Sequence, residues 1–326
     1  MLFRSFTPLA SGAKITIEVF DPPSSTHTVG VAINSTGYVT GYFTDSSKNY
    51  SIRGFLRYDN GDITVFDAPG SSATVPTTIN AGGKIAGIST TVVSGQQVAF
   101  IRDARGAFIT FTAPSGTVAP RAMNDQGVVA GDFYANADSK GFVRSASGQL
   151  VLFSPPGATN TSVTGINNTG VITGTFLKNG VAHGFIRDRL GSFLIFDVPK
   201  ATGTWPVGIN SSGQVAGYYT DSVHQTHGFL RSPQGAIELL DTTTGLVTPS
   251  GINDFGRIAG QFSPLDPTKP PTGFERNEAG NLILIEVPNS RFTDVRSISL
   301  NSDLTGSYKE DLRGGLTHGF VAWVED

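Results

Sequence analysis

The residue types that move protons are present in this chain but scattered. Asp45, Asp221, Asp266, Glu310 and Asp311, with His27 and His224, fall in polar stretches that read as loops, and carboxylates and imidazoles are the usual general acids and bases. No motif fixes them in a working geometry. There is no Gly-x-Ser-x-Gly elbow, no His-Glu-x-x-His pair, no phosphate-cradling Gly loop and no Asp-rich calcium loop. Cysteine is absent, which excludes disulfides and thiol chemistry. Binding chemistry is better represented. Trp205, one of two tryptophans, opens a short apolar run where an aromatic ring could stack on a sugar or another flat ligand, or else plug the molecule's axis. Arg121 and Arg296 interrupt small or apolar runs. They suit a carboxylate or sulfate clamp, or a pairing with Asp294 or another loop acid, because an unpaired buried charge is costly.

Two recurrent residues look like sites and are better read as structure. His183, His227 and His318 each precede Gly-Phe. At equivalent positions of a repeat they stand too far apart for one metal, which needs its ligand atoms about 2 Å away. Arg57, Arg102, Arg144, Arg187, Arg231 and Arg276 each lie two residues beyond a Phe. On a strand, such a pair shares one face, so the Arg stem covers apolar surface while its head reaches turn carbonyls. No cofactor and no metal are expected.

The elements that must position these residues follow from a repeat. An Asn that ends a short apolar run returns at 34, 80, 124, 167, 210, 253 and 301, a spacing of 43 to 48 residues that fills the chain. Within the fifth unit, 204–210, 214–221, 226–232 and 236–241 read as four strands, the first two joined by Asn210-Ser211-Ser212-Gly213. Asn and Gly tolerate the left-handed backbone of tight hairpins. The apolar runs last five to eight residues, are rich in Val, Ile, Phe and Thr, and are punctuated by 40 Gly and 18 Pro, so no helix is expected.

Four-stranded units of this length predict an all-β, seven-bladed β-propeller forming one domain. Its blades are expected at 28–69, 73–114, 118–156, 161–199, 204–243, 248–288 and 294–326. The last unit holds three strands only, while residues 14–22 match the fourth strand at 63–69, so the N-terminal strand is expected to complete the last blade and leave no open edge. A Gly in every second strand (41, 87, 131, 174, 217, 260, 306) signals close approach by backbone or an aromatic. The Phe of each Gly-Phe (55, 100, 142, 185, 229, 274, 320) is expected in the core between blades.

Units such as Gly165 to Arg187 and Gly208 to Arg231 read "GIN…G.VAG…HGF.R" or close to it. They resemble the HAF-type extracellular repeats of bacterial exported proteins, across all the units. The resemblance implies export and a propeller-like fold but carries no catalytic motif. The chain departs from it in having Gly where the repeat's name has Ala, and in keeping the His in three units.

Composition suits a secreted or periplasmic chain: 15% charged residues, with Ser, Thr, Asn and Gly abundant. A net charge of -3 without a basic run argues against nucleic acid, and no apolar run is long enough for a membrane span. The first 13 residues lack a signal-peptide core, so export requires the chain to be a mature form.

Connections between second and third strands vary (44–51, 90–97, 135–140, 178–182, 220–226, 263–272, 309–317), as do those leading to the next unit, and both fall on one face. Function is expected on this variable face. The expected role is binding of carbohydrate or another surface polymer, with Trp205, Arg121, Arg296, Asp45, Asp221, His224, Asp294 and His27 as candidates. The rivals are a lyase or glycoside hydrolase at the channel mouth, and a scaffold that binds a protein partner or itself.

Overall fold

The computed structural model describes residues 2–4, 13–113, 115–135, 138–310 and 315–325, the first three as backbone. Asp311 and parts of the connections 135–140 and 309–317 lie outside the described residues.

The chain is all-β, in four-stranded antiparallel meanders. Unit five is typical: Gly203–Ile209, Val215–Thr220, Thr226–Arg231 and Ile237–Leu239 pair in sequence order. The strand ends fall within a residue or two of those expected. Among the described residues, one three-residue 3-10 turn, Ser46–Lys48, is the sole helical piece.

The strands form six hydrogen-bonded sheets. The largest has eight strands, because the unit 25–66 and the last unit meet through a single parallel bridge between His27 and Thr317. The N-terminal strand Lys14–Phe20 pairs antiparallel with Thr317–Glu325, from Lys14 opposite Glu325 to Phe20 opposite Gly319. The two ends of the chain thus share a sheet. The backbone of Leu2–Arg4 adds a fifth, parallel strand outside Ile237–Leu239, which the repeat does not foretell.

First strands contact one another in sequence, and the last, Phe292–Ile298, contacts the first, Ser25–Ile33, so the array closes. A ring of amides ties this inner layer. The side-chain nitrogen of Asn34 donates to the backbone oxygen of Asn80 (3.0 Å), Asn80 to Asn124 (3.2 Å), Asn124 to Asn167 (3.2 Å), Asn167 to Asn210 (2.9 Å), Asn210 to Asn253 (3.1 Å) and Asn253 to Ser299 (3.0 Å). Each Asn oxygen meanwhile accepts from its own turn, as Asn167 does from Val171 N at 2.9 Å. The repeated Asn is therefore both a turn residue and a bond to the next unit. In the last unit Ser299, not Asn301, starts the turn, since Ser299 N donates to Asp303 O. Ser299 lacks an amide, and the link to the first unit comes from Asn301, whose nitrogen reaches Ser35 O at 2.7 Å.

The second-strand Gly has a local cause. Each first strand carries a bulge near its end, as between Pro206 and Gly208 or Val163 and Gly165. At Gly174 an added Cβ would stand 2.1 Å from Ser162 O, and at Gly217 2.4 Å from Trp205 O, so no side chain fits. The Gly-Phe rings fill the core: Phe55, Phe100, Phe142, Phe185, Phe229, Phe274 and Phe320 have no exposed surface. Burial of each contributes about 1.5–3 kcal/mol.

The arginines pin neighbouring units together. Arg102, Arg144, Arg187 and Arg231 place their guanidinium groups 4.7–4.9 Å from the centres of Phe66, Phe111, Phe153 and Phe196 of the preceding unit. Each donates to the carbonyl of the next residue, as Arg231 does to Ser232 O at 3.0 Å. Such cation–π contacts are worth about 0.5–2 kcal/mol.

Candidate functional site

The three histidines are structural in their contacts. His183, His227 and His318 stack on Phe176, Tyr219 and Tyr308 across the hairpin, with centroids 5.1–5.4 Å apart. Their Nδ1 atoms face a carboxylate just beyond the fourth strand: Asp197 at 2.9 Å, Asp241 at 2.5 Å and Asp21 at 2.6 Å. In the first unit Arg53 takes the same place and meets Asp67 at 2.7 Å.

The loop carboxylates are likewise committed. Asp45 caps the 3-10 turn through Ser47 N (2.9 Å) and Ser47 Oγ (2.6 Å) and pairs with Arg53 Nη1 (3.0 Å). The Ser47 hydroxyl, then Arg53, holds its carboxyl below the usual range. Asp221 accepts from the backbone of Val223 and Gln225, both at 2.9 Å, and faces His227 Nε2 at 3.3 Å. The Gln225 amide leads in holding this carboxyl low. Asp266 is held low first by the Thr268 hydroxyl, 2.7 Å away. Groups so fixed in the ionised form serve turns rather than donate protons. His224 is exposed at a loop tip with φ 63°. His27 is exposed at the bridge to Thr317, and Glu310 is exposed.

Around Trp205 the first and second strands build a different surface. Trp205 and Tyr218 are cross-strand partners, both half-buried, with rings stacked at 5.5 Å and 14°. Gly203 is required beneath them, since a Cβ there would stand 2.3 Å from the indole. Burial raises the Tyr218 hydroxyl above its ordinary pKa, so it is a neutral donor. The corresponding cross-strand pairs are Ala119–Asp132 in unit three, Ser162–Thr175 in unit four, Thr248–Gln261 in unit six and Asp294–Ser307 in unit seven. On either side of the stacked rings, Thr175 Oγ1 and Gln261 Nε2 are buried without a hydrogen-bond partner. Native buried polar groups are usually partnered, and such atoms recur round the ring, as at Thr161 Oγ1 and the Nε of Arg57, Arg102, Arg187 and Arg276.

Farther round this arc, Arg121 pairs with Asp132, not with a loop acid. Its Nε lies 2.8 Å from Asp132 Oδ2, and its Nη2 donates to Tyr134 Oη at 3.0 Å. Asp132, 1% exposed, also accepts from Val163 N at 2.8 Å and Ser162 Oγ at 3.3 Å, linking units three and four. Burial, then Asp132, raises the Tyr134 pKa. Arg296 pairs with Asp294 at 2.8 Å. Both arginines keep over two-fifths of their side-chain surface exposed.

Sequence reasoning found Trp205, Arg121, Arg296 and Asp294 but not Tyr218, Asp132, Tyr134, Thr175 or Gln261. Carrying the hairpin register across the units would have set Tyr218 opposite Trp205 and Asp132 opposite Ala119, had the bulge been allowed for.

The opposite face is not featureless. A depression of about 250 Å³ sits on the axis, lined by the Asn turns, the residues Ile33, Ile79, Met123, Ile166, Ile209, Ile252 and Ile298, and the carboxylates of Asp125 and Asp254. Those carboxylates bond to neighbouring turns, Asp125 to Ala81 N (2.9 Å) and Asp254 to Ser211 N (2.7 Å). Asn34-Ser35-Thr36 and Asn210-Ser211-Ser212 match the Asn-x-Ser/Thr glycosylation triplet and fall here too, with both Asn side chains buried and bonded.

No protein-family model matches the chain, and no curated protein matches it in sequence. Solved structures do resemble it. A streptogramin B lyase superposes with TM-score 0.62 at 14% identity, covering 95% of this chain and 98% of that one. Virginiamycin B lyase from Staphylococcus aureus gives 0.60 at 12%, covering 95% and 100%. The β-propeller domain of the Trilobed protease from Pyrococcus furiosus, described as having an open velcro topology, gives 0.65 at 10%, covering 91% and 95%. At these identities the likeness shows the fold alone, and the fold is a β-propeller. Among the described residues no helix is long and apolar enough to cross a membrane.

Proposed function

We propose that the chain is an exported, seven-bladed ligand-binding propeller of the HAF-repeat type, which holds carbohydrate at the Trp205–Tyr218 surface on the variable-loop side. Seven blades follow if the eight-stranded sheet is divided at its single His27–Thr317 bridge, with Lys14–Phe20 given to the last blade. The observation that carries the binding reading is the stacked, half-exposed aromatic pair Trp205 and Tyr218. An aromatic platform takes the apolar face of a sugar ring, and flanking donors and acceptors take its hydroxyls. The exposed guanidinium groups of Arg121 and Arg296 favour sugars that bear a carboxylate or sulfate. Virginiamycin B lyase was solved with quinupristin, so this fold can hold an organic ligand, and at 12% identity the likeness brings no chemistry with it.

The test is calorimetric titration with neutral, uronic and sulfated oligosaccharides. One class is expected to saturate, with Trp205→Ala weakening it by about tenfold or more, equal to about 1.4 kcal/mol. Arg121→Ala should weaken acidic sugars selectively. Absence of saturable binding across the panel, or unchanged affinity in Trp205→Ala, defeats the proposal.

A further inference from the structure

A second cavity lies in unit six, beneath the connection 263–272, away from Trp205. Its volume is about 660 Å³, and its walls include Phe262, Leu265, Leu284, Asp266, Lys269 and Glu286. That is within the range of about 300–1,000 Å³ usual for small-molecule sites.

The cavity coincides with a break in the repeat. In units four, five and seven a histidine covers the second-strand aromatic and meets a carboxylate just beyond the fourth strand, and in unit one Arg53 meets Asp67, whereas units two and three have Thr112 and Ser154 at the carboxylate position. In unit six the register puts Thr272 opposite Phe262, where His183 stands opposite Phe176. Thr272 turns its hydroxyl to Ile285 O at 2.6 Å and cannot reach the carboxylate. Glu286 follows Ile285 as Asp197 follows Phe196, so it holds the carboxylate position. It is exposed, and among the described residues no side chain pairs with it. The other two charges of the cavity answer each other: Asp266 is fixed by Thr268 and interacts with Lys269. Two carboxylates and one ammonium leave the lining with one net negative charge, centred on Glu286.

We propose that this cavity binds a planar organic cation, a guanidinium, amidinium or imidazolium carried on an apolar body. The cation pairs with Glu286 in the manner of the histidine or arginine of the other units, while Leu265, Leu284 and the Phe262 edge take the apolar body.

The test titrates the full chain with benzamidine, its neutral isostere benzamide, and benzoate, by calorimetry and by methyl and aromatic NMR shifts. Benzamidine is expected to saturate at millimolar concentrations or below, with benzamide and benzoate about tenfold weaker, the difference a charge-assisted hydrogen bond makes. Glu286→Gln, a surface change that leaves the fold intact, should abolish the preference for benzamidine over benzamide. Thr272→His should restore the repeat's own imidazole, exclude benzamidine and raise the melting temperature. Equal binding of benzamidine and benzamide, unchanged binding in Glu286→Gln, or no saturable benzamidine binding overturns the proposal.

Discussion

The amide ring predicts a sharp contrast between two asparagines. Asn167 donates to Asn210 O at 2.9 Å and accepts from Thr169 N (3.1 Å), Thr169 Oγ1 (2.8 Å) and Val171 N (2.9 Å), and it is 5% exposed. Four bonds at a net of about 0.5–1.5 kcal/mol each set an upper range near 6 kcal/mol. Water can re-solvate the Thr169 groups, which lie at the turn surface, so Asn167→Ala should cost about 3 kcal/mol. Asn301 is exposed and makes one such bond, to Ser35 O. Asn301→Ala should cost under about 1 kcal/mol. Asn167→Asp keeps the three acceptor contacts but loses the donor, so it should fall between them. Urea unfolding followed by far-UV circular dichroism gives the three values, provided the slope against urea is unchanged. Asn167→Asp as stable as the parent chain would refute the claim that the repeated Asn links units, because that change removes the donor to Asn210 O alone, and it would leave the residue a turn residue only.

Removal of residues 1–20 takes the Lys14–Phe20 partner from Thr317–Glu325 and, with Ile15 and Ile17 gone, exposes the core around Phe320 and Ala322. The melting temperature should fall by about 10 °C or more, read by calorimetry, and an unchanged value would mean the closing strand is dispensable. Asp45 and Asp221 have folded pKa values below their ordinary 3.8. The stability each contributes is therefore present above about pH 4 and is lost as pH falls through the lower, folded value. Urea midpoints from pH 7 down to 2.5 should show a shallower acid limb in Asp45→Asn and Asp221→Asn than in the parent chain. Parallel curves would show that neither carboxylate matters to acid stability.

The repeat made the architecture legible because every unit must solve the same packing problem. A Gly facing the bulge carbonyl, a Phe between units and an Arg over the neighbouring ring recur for that reason, and period alone exposes them. What period hides is any partner outside its own unit. The Asn side chain looked like turn chemistry, and its bond to the next unit depends on how units stack. Asn301 imitates the repeated Asn from two residues beyond Ser299, the residue that starts the turn in the last unit. Arg121 was matched to loop acids because Asp132 lies on a strand, where its contact with Arg121 depends on cross-strand register and a one-residue bulge. Trp205 was visible by its rarity, whereas Tyr218, Thr175 and Gln261 become a site only once the units stand side by side.

Departures from the repeat fall into two kinds, and the distinction locates function better than conspicuous residues do. In some, the lost partner is replaced from within the chain. Arg53 stands in for histidine opposite Asp67, and Asn301 reaches Ser35 where Ser299 has no amide to offer. These substitutions leave no polar group waiting, and drift under the constraint of satisfied hydrogen bonds accounts for them. In others, the replacement leaves a group without an internal partner. Thr272 withdraws from Glu286, and Thr175 Oγ1 and Gln261 Nε2 are buried beside Trp205 and Tyr218 with nothing to bond. An unmet buried polar atom costs about 1–3 kcal/mol unless a ligand or water meets it. A ring held by so many repeated contacts can carry that cost in a few units, and ligand binding would recover it there. At the other face the Asn turns around the axial depression bond to one another, so the repeat's own contacts occupy it.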